Sequence, residues 1–215
     1  AERMTPDGPL EPLTPDAVRD ALDRLAATGP QAVAVCLLHA YRHPEHERAL
    51  GDALAARFGD AVHVSLSHEA VGTFREYERA ATTEIDAALS PLLAEYLRRL
   101  VDRARAEGLP EPSVMQSSGG ILTAESARRR PLQTLLSGPV GGAIACAELS
   151  HQTGRPHLIG VDMGGTSFDV SLVVDGEPDV SAEAKLEGLP MLMSIVNIHT
   201  VGAGGGSVAW AEAGG

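Results

Sequence analysis

Apolar positions first recur at helical spacing through Val18, Ala21, Leu22 and Leu25, behind a Thr14-Pro15-Asp16 opening that supplies an N-cap and a proline at the first helical position. This predicts a helix to about Ala27, stopped by Gly29-Pro30. The unbroken apolar run from Ala32 to Leu38 predicts a strand buried on both faces. Pro44 opens a second helix through His46, Ala49, Leu50, Ala53 and Leu54 to about Gly59, and Val62 to Ser67 predicts a short strand. The order is helix, strand, helix, strand.

From Glu69 to Gly108 the pattern is helical and long. Its strongest part begins at Ser90, an N-cap residue followed by Pro91, with Leu89, Leu92, Leu93, Tyr96, Leu97, Leu100, Val101 and Ala104 forming one apolar stripe. Arg98, Arg99, Arg103 and Arg105 lie mostly off that stripe and read as a solvated face. Gly108 and Pro110 end the helix. Beyond them come a strand over Ser113–Gln116, the loop Ser117-Ser118-Gly119-Gly120, the basic stretch Arg128–Pro131 and the apolar Leu132–Leu136. A glycine-rich loop, Ser137–Gly142, then opens a helix from Ala143 to about His151. Strands follow over His157–Met163 and Thr166–Val174, with turns at Gly164-Gly165 and Asp175-Gly176, and Ile195–Val201 leads into the loop Gly202–Ser207. The pattern predicts an α/β protein with mixed sheets and flanking helices. It divides near Gly108 to Pro112 into residues 1–110 and 111–215.

Composition narrows the function. With 44% hydrophobic but only 3% aromatic residues, the core is built from Leu, Val, Ile and Ala. A net charge of -12 argues against binding a nucleic-acid backbone or an anionic membrane. No apolar run approaches the roughly 18 residues of a membrane span and no charged leader precedes one, so a soluble, cytoplasmic protein is expected. Cys36 and Cys146 lie in apolar surroundings and read as small buried hydrophobes. The opening at Ala1 and the end at Ala213-Gly214-Gly215 lead us to expect an excised fragment.

The candidate chemistry centres on Asp162-Met163-Gly164-Gly165-Thr166-Ser167-Phe168-Asp169. Two adjacent glycines between strands let backbone N–H groups approach an anion with no Cβ in the way. Thr166 and Ser167 add hydroxyl donors for phosphate oxygens. Asp162 is suited to orient Mg2+ through its waters, and Asp169 to hold the turn or orient a nucleophile. A structural hairpin accounts for the same residues taken alone. Gly138, Gly141 and Gly142 offer a second phosphate site at a helix start, or else close strand-to-helix packing. The loop of Gly202, Gly204, Gly205, Gly206 and Ser207 fails the dinucleotide fingerprint, because its last position is serine. A mobile loop over nucleotide or substrate is the role expected for it. His199 is either a metal or acid-base group or a structural strand-end histidine. Arg75, Glu76, Glu78 and Arg79 are expected to form a surface ion-pair cluster, and His43 and His46 to cap a helix.

Val161 to Leu172 resembles the second signature of the hydantoinase/oxoprolinase family, ATP-dependent enzymes that open cyclic amides. Five further blocks resemble it in family order. They are Ala34–Leu38 with His43–Glu47, Phe74–Arg79, Met115–Gly120, Leu136–Gly142 and His199–Ser207. The resemblance implies a partial actin/sugar-kinase-like ATPase fold, with ATP between two lobes and held by two acidic Gly-Gly-Thr hairpins. Asp162–Asp169 corresponds to the second of these, and the first is absent from this sequence. It further implies ATP and Mg2+ as cofactors, a hydantoin or 5-oxoproline type substrate, a phosphorylated intermediate and a companion subunit of hydantoinase B type. A ketone carboxylase subunit or a kinase on the same fold fits the resemblance too. So does a non-catalytic piece that needs the missing lobe or a partner.

Overall fold

The computed structural model describes residues 3–186, 188–208 and 210. The chain gathers into two units. One is built from Ala1–Val114, Leu122–Thr134 and Glu183–Met193, the other from Met115–Ile121, Leu135–Ala182 and Ser194–Gly215. The sequence suggests a single division near residues 108–112, whereas the chain passes repeatedly between the units, because the strand pairs within residues 113–123 and 180–196 divide their residues between them.

The first unit opens with an antiparallel pair, β1 (Arg3–Thr5) and β2 (Gly8–Glu11). Helix α1 (Pro15–Ala26) follows, and the Thr14 side chain accepts from the Ala17 N–H at 3.2 Å, as the capping pattern requires. Strand β3 (Ala32–Val35), helix α2 (Glu45–Phe58) and strand β4 (His63–Leu66) make a strand-helix-strand unit whose strands pair in parallel, Val33 opposite Val64 and Val35 opposite Leu66. These four residues meet Leu22, Leu50 and Leu54 in one apolar cluster. The other face of the pair carries Ala32, Ala34 and Ser65, and Ser65 Oγ donates to Asp86 Oδ2 at 2.7 Å. Small side chains there let a long helix lie close.

That helix, α4 (Glu76–Ala106), follows the single turn α3 (Ser67–Ala70) and runs for 31 residues with Pro91 inside it. Ser90 is therefore not an N-cap. Its hydroxyl donates back to the Asp86 carbonyl at 2.6 Å, and buried residues flank the proline on both sides, Ala81, Ile85 and Ala87 before it and Leu97 and Ala104 after it, whereas Leu92 and Tyr96 of the expected stripe are exposed. Burial outweighs the bond that proline deletes. Arg98 and Arg99 pair with Glu95 at 2.8 and 2.6 Å on the solvated face. Those hydrogen bonds, Arg98 first and then Arg99, hold the Glu95 carboxyl down at about 2.

Strand β3 ends at Val35 rather than Leu38, because the chain is pulled out of the ladder. The Leu37 N–H donates to Glu47 Oε1 at 2.8 Å, and Leu37 O accepts from Arg79 at 2.6 Å. Arg79 is fully buried, which corrects the expected surface cluster; its second donor reaches Thr73 O at 3.0 Å and its guanidinium lies 5.6 Å over the Tyr41 ring. Arg75 does pair with Glu78, at 2.6 Å, and with Glu183. Glu47 is also fully buried, and it accepts from Ser67 Oγ, His68 N and His68 Nδ1 at 2.6, 3.0 and 2.7 Å.

After β5 (Ser113–Met115), β6 (Ile121–Thr123) and the short helix α5 (Ala124–Arg129), helix α6 (Ser137–Thr153) belongs to the second unit. It begins six residues before Ala143, so the expected glycine loop forms its first turns, entered through Leu136 at φ 60. Strands β7 (Leu158–Met163) and β8 (Phe168–Val174) form an antiparallel hairpin, with β9 (Glu177–Pro178) on β8. The hairpin β10 (Val180–Leu186) and β11 (Leu189–Val196) follows. Asn197 separates β11 from β12 (Ile198–Val201), which pairs antiparallel with β8. One face of this sheet carries the buried Ser171 and Val173, whereas the other leaves Ile159, Val161, Met163, Leu172 and Val174 exposed. Val140 and Ala143 of α6 pack with Val196.

Cys36 and Cys146 are free thiols and only half-buried, less enclosed than their apolar surroundings predict. Among the described residues no helix is long and apolar enough to cross a membrane.

Candidate functional site

Antiparallel register aligns three polar side chains across the second unit's sheet. Asp162 of β7 faces Asp169 of β8, and Asp169 faces Thr200 of β12. Directly opposed residues point to the same face. The Thr200 hydroxyl donates to Asp169 Oδ1 at 2.5 Å, which fixes one carboxylate, while the Asp162 side chain is exposed and makes no hydrogen bond or ion pair among the described residues. One aspartate is thus oriented by the protein and the other is open to solvent.

The preceding row is Gly160, Ser171 and Ile198, where α6 comes down onto the sheet. A Cβ at Gly160 would stand 2.5 Å from Ser171 Oγ and 2.8 Å from Cys146 Sγ, so only glycine admits the helix at this distance. Pro139, Gly142, Ala143 and Cys146 of α6 join the two aspartates around a pocket of about 40 Å3. That is room for a water molecule or an ion; pockets that enclose an organic ligand run to several hundred Å3.

The glycines of α6 are not explained by crowding. A Cβ at Gly138, Gly141 or Gly142 would meet nothing within 4 Å. Of the three, Gly142 lines the pocket beside the aspartates, and the helix start leaves its first N–H groups without intrahelical partners.

At the hairpin tip, Gly164 N donates to Ser167 O at 3.0 Å, and an added Cβ at Gly165 would meet nothing within 4 Å. The hydroxyls of Thr166 and Ser167 have no hydrogen-bond partner among the described residues. The Gly202–Ser207 loop sits on this tip. Gly205 N donates to Gly164 O at 2.9 Å, Gly204 N donates to Ser207 Oγ at 3.0 Å, and Ser207 N returns a bond to Gly204 O at 2.8 Å. In this structure the loop is tied down.

His199 is aligned with Val170 and Val161, one residue out of phase with the aspartate row. Its side chain is exposed on the opposite face, away from both carboxylates. Among the described residues no group of three or more His, Cys, Asp or Glu side chains converges on a metal position. His43 Nε2 bonds to Pro6 O at 2.9 Å, and His46 Nε2 receives the Leu13 N–H at 3.4 Å, both in the first unit. Thr200 and Gly160 belong to the site and carry no sequence signal of their own, since their roles come from strand register and helix approach.

Comparison with known proteins gives this geometry a context. The hydantoinase/oxoprolinase family profile matches residues 79–215, and the profile of that family's N-terminal region matches residues 1–58. The caprolactamase subunit alpha of Pseudomonas jessenii is 32% identical over 96% of this chain, which covers 30% of that protein. The solved ATP-dependent caprolactamase from the same organism superposes with a TM-score of 0.85 at 30% identity, over 99% of this chain and 31% of that one. The 5-oxoprolinase of Saccharomyces cerevisiae is 35% identical over 89% of this chain and 15% of its own length. A nucleotide-free acetone carboxylase, from work on ATP-dependent acetone carboxylation, gives a TM-score of 0.81 at 30% identity, over 95% of this chain and 29% of that one. The chain thus spans about a third or less of the relatives it matches.

Proposed function

Since the chain belongs to the hydantoinase/oxoprolinase family, we propose that it forms part of an ATP-dependent enzyme that opens a cyclic amide, and that its β7–β8 hairpin grips the nucleotide phosphates. The observation that carries this reading is the row of Asp162, Asp169 and Thr200 beside a bare glycine tip and a glycine-bearing helix start. Anionic oxygens are matched by Gly165 and Thr166 backbone N–H groups, by the hydroxyls of Thr166 and Ser167, and by the α6 N-terminus with Gly138, Gly141 and Gly142. A Mg2+ ion, which takes one or two carboxylates and keeps several waters, fits Asp162 with Asp169 behind it.

When bound, ATP would supply the γ-phosphoryl group that the amide oxygen attacks with ADP leaving, giving an O-phosphorylated imidate; water adding at its carbon would then open the C–N bond to the free amine and release phosphate, leaving the carboxylate. The residues of this chain bind and orient. Thr200 holds Asp169, Asp169 faces Asp162, and Gly160 lets α6 approach the sheet at Cys146. A companion subunit is expected, in line with the alpha-subunit relative. The test is lactam-dependent ATP turnover by the full-length chain with its companion. Asp162→Ala is expected to lower it by at least about 100-fold, as loss of a transition-state contact does; unchanged turnover would refute the assignment.

The likeness to acetone carboxylase favours one alternative, an ATP-dependent carboxylase in which an enol oxygen takes the phosphoryl group. Turnover that requires bicarbonate and a ketone in place of a lactam would select it.

A further inference from the structure

We propose that Gly204 is a positioning residue for the phosphate-binding turn, a role that rests on the phosphate reading given above. Gly204 is buried although its neighbours Gly202, Gly205, Gly206 and Ser207 are exposed. It lies flat against one peptide group of the hairpin tip. A Cβ built on Gly204 would collide with the carbonyl carbon and oxygen of Gly165 and stand 2.6 Å from Thr166 N. Those three atoms are the Gly165–Thr166 peptide, whose N–H is the donor offered at the tip.

Two hydrogen bonds hold the contact from either side. Ser207 Oγ takes the Gly204 N–H at 3.0 Å, and the next residue, Gly205, donates to Gly164 O at 2.9 Å. The loop is thereby a backbone clamp on the turn, and its geometry fixes which way the Thr166 N–H points. Gly204 needs no left-handed backbone, since positive φ is absent there. Its requirement for glycine is purely one of space.

An alanine at 204 must bring the Gly165 carbonyl, which lies nearer still than Thr166 N at 2.6 Å, out to an ordinary contact of at least 3.4 Å, a displacement of about 1 Å. Misplacement of that order is worth about 100-fold in a reaction that depends on aligned groups. The experiment compares Gly204→Ala with the unaltered full-length chain by calorimetry with Mg-ATP and with AMP, alongside lactam-dependent ATP turnover. The expected result is on the order of 100-fold lower turnover and a lowered ratio of ATP to AMP affinity, with AMP affinity itself within about twofold. A change that merely unfolds the site would lower both affinities together. In that event Ser207→Ala decides, because it loosens the clamp without adding an atom; a lowered ATP-to-AMP ratio supports the clamp and an unchanged ratio overturns it.

Full turnover and ATP affinity in Gly204→Ala also overturn the clamp. Asp162→Ala separates the two ideas. If it too keeps full turnover, the phosphate reading falls. If it loses turnover while Gly204→Ala does not, only the positioning role falls.

Discussion

Replacing Glu47 with glutamine should destabilise the first unit by about 2–4 kcal/mol, although the two side chains have nearly the same shape. Glu47 is fully buried and receives four hydrogen bonds: Leu37 N and Ser67 Oγ on Oε1, His68 N and His68 Nδ1 on Oε2. A carboxylate serves four donors at once, and a carboxamide cannot. If the amide nitrogen takes the Oε1 place, Ser67 turns its hydroxyl to accept, but the Leu37 N–H is left facing another donor. If it takes the Oε2 place, His68 moves its proton to Nε2, which now has no partner, and the His68 backbone N–H is stranded instead. Either orientation leaves one buried backbone donor unsatisfied, at about 1–3 kcal/mol, and weakens the remaining bonds by removing the charge. Glu47→Ala removes all four acceptor positions and should cost more, about 4–6 kcal/mol, with a cavity term added. Urea unfolding followed by far-ultraviolet circular dichroism measures both, at constant slope with denaturant. The reasoning fails if the glutamine variant loses less than about 1 kcal/mol, or if it is as damaging as alanine.

Two further outcomes follow from the same unit. Burial pushes the His63 imidazole below its ordinary value, partly opposed by the Asp86 charge, so the unfolded chain takes up the proton first. Stability should therefore fall as pH drops through about 6.5 and level off below the folded value, and His63→Gln should flatten that slope in pH-dependent thermal melts. Pro91→Ala restores a helix donor within α4 and should raise stability by about 1–2 kcal/mol in the same urea assay; destabilisation would mean that the helix needs its local bend.

The local patterns that proved legible were those whose signal is purely local. Thr14-Pro15 capped a helix as its chemistry demands, and the alternating apolar residues around Gly164-Gly165 became a hairpin with its strands in the expected places. Ser90-Pro91 carried an equally good capping signal and misled, because the helix has buried residues on both sides of the proline, Ile85 and Ala87 before it and Leu97 and Ala104 after it. The Ser137–Gly142 segment looked like a loop, since glycine disfavours helix. In the structure it lies within a helix whose first turns have open space around those glycines. The buried charges were hidden for a different reason. Nothing in Phe74–Arg79 distinguishes Arg75, which is partly exposed, from Arg79, which is fully enclosed by Leu37 O, Thr73 O and Tyr41; the partners come from distant segments. Thr200 joined the aspartate row only through the β8–β12 register, which one chain cannot reveal before it folds.

The interleaved course of the chain bears on how the protein comes into being. Between its two units it changes sides after Val114, Ile121, Thr134, Ala182 and Met193. A bond such as Val196 N to Ser117 O therefore joins positions that leave the ribosome far apart in time. Closing such a span adds only slowly to the entropic cost, about 0.6 kcal/mol per doubling of length, but it delays the contact. During synthesis Asp162 and Asp169 come face to face as soon as their hairpin forms, whereas Thr200, which orients Asp169, emerges about 30 residues later. The paired carboxylates are thus made before the hydroxyl that sets them, so the nascent chain passes through a stage in which this aspartate-bracketed turn is folded but not yet aimed.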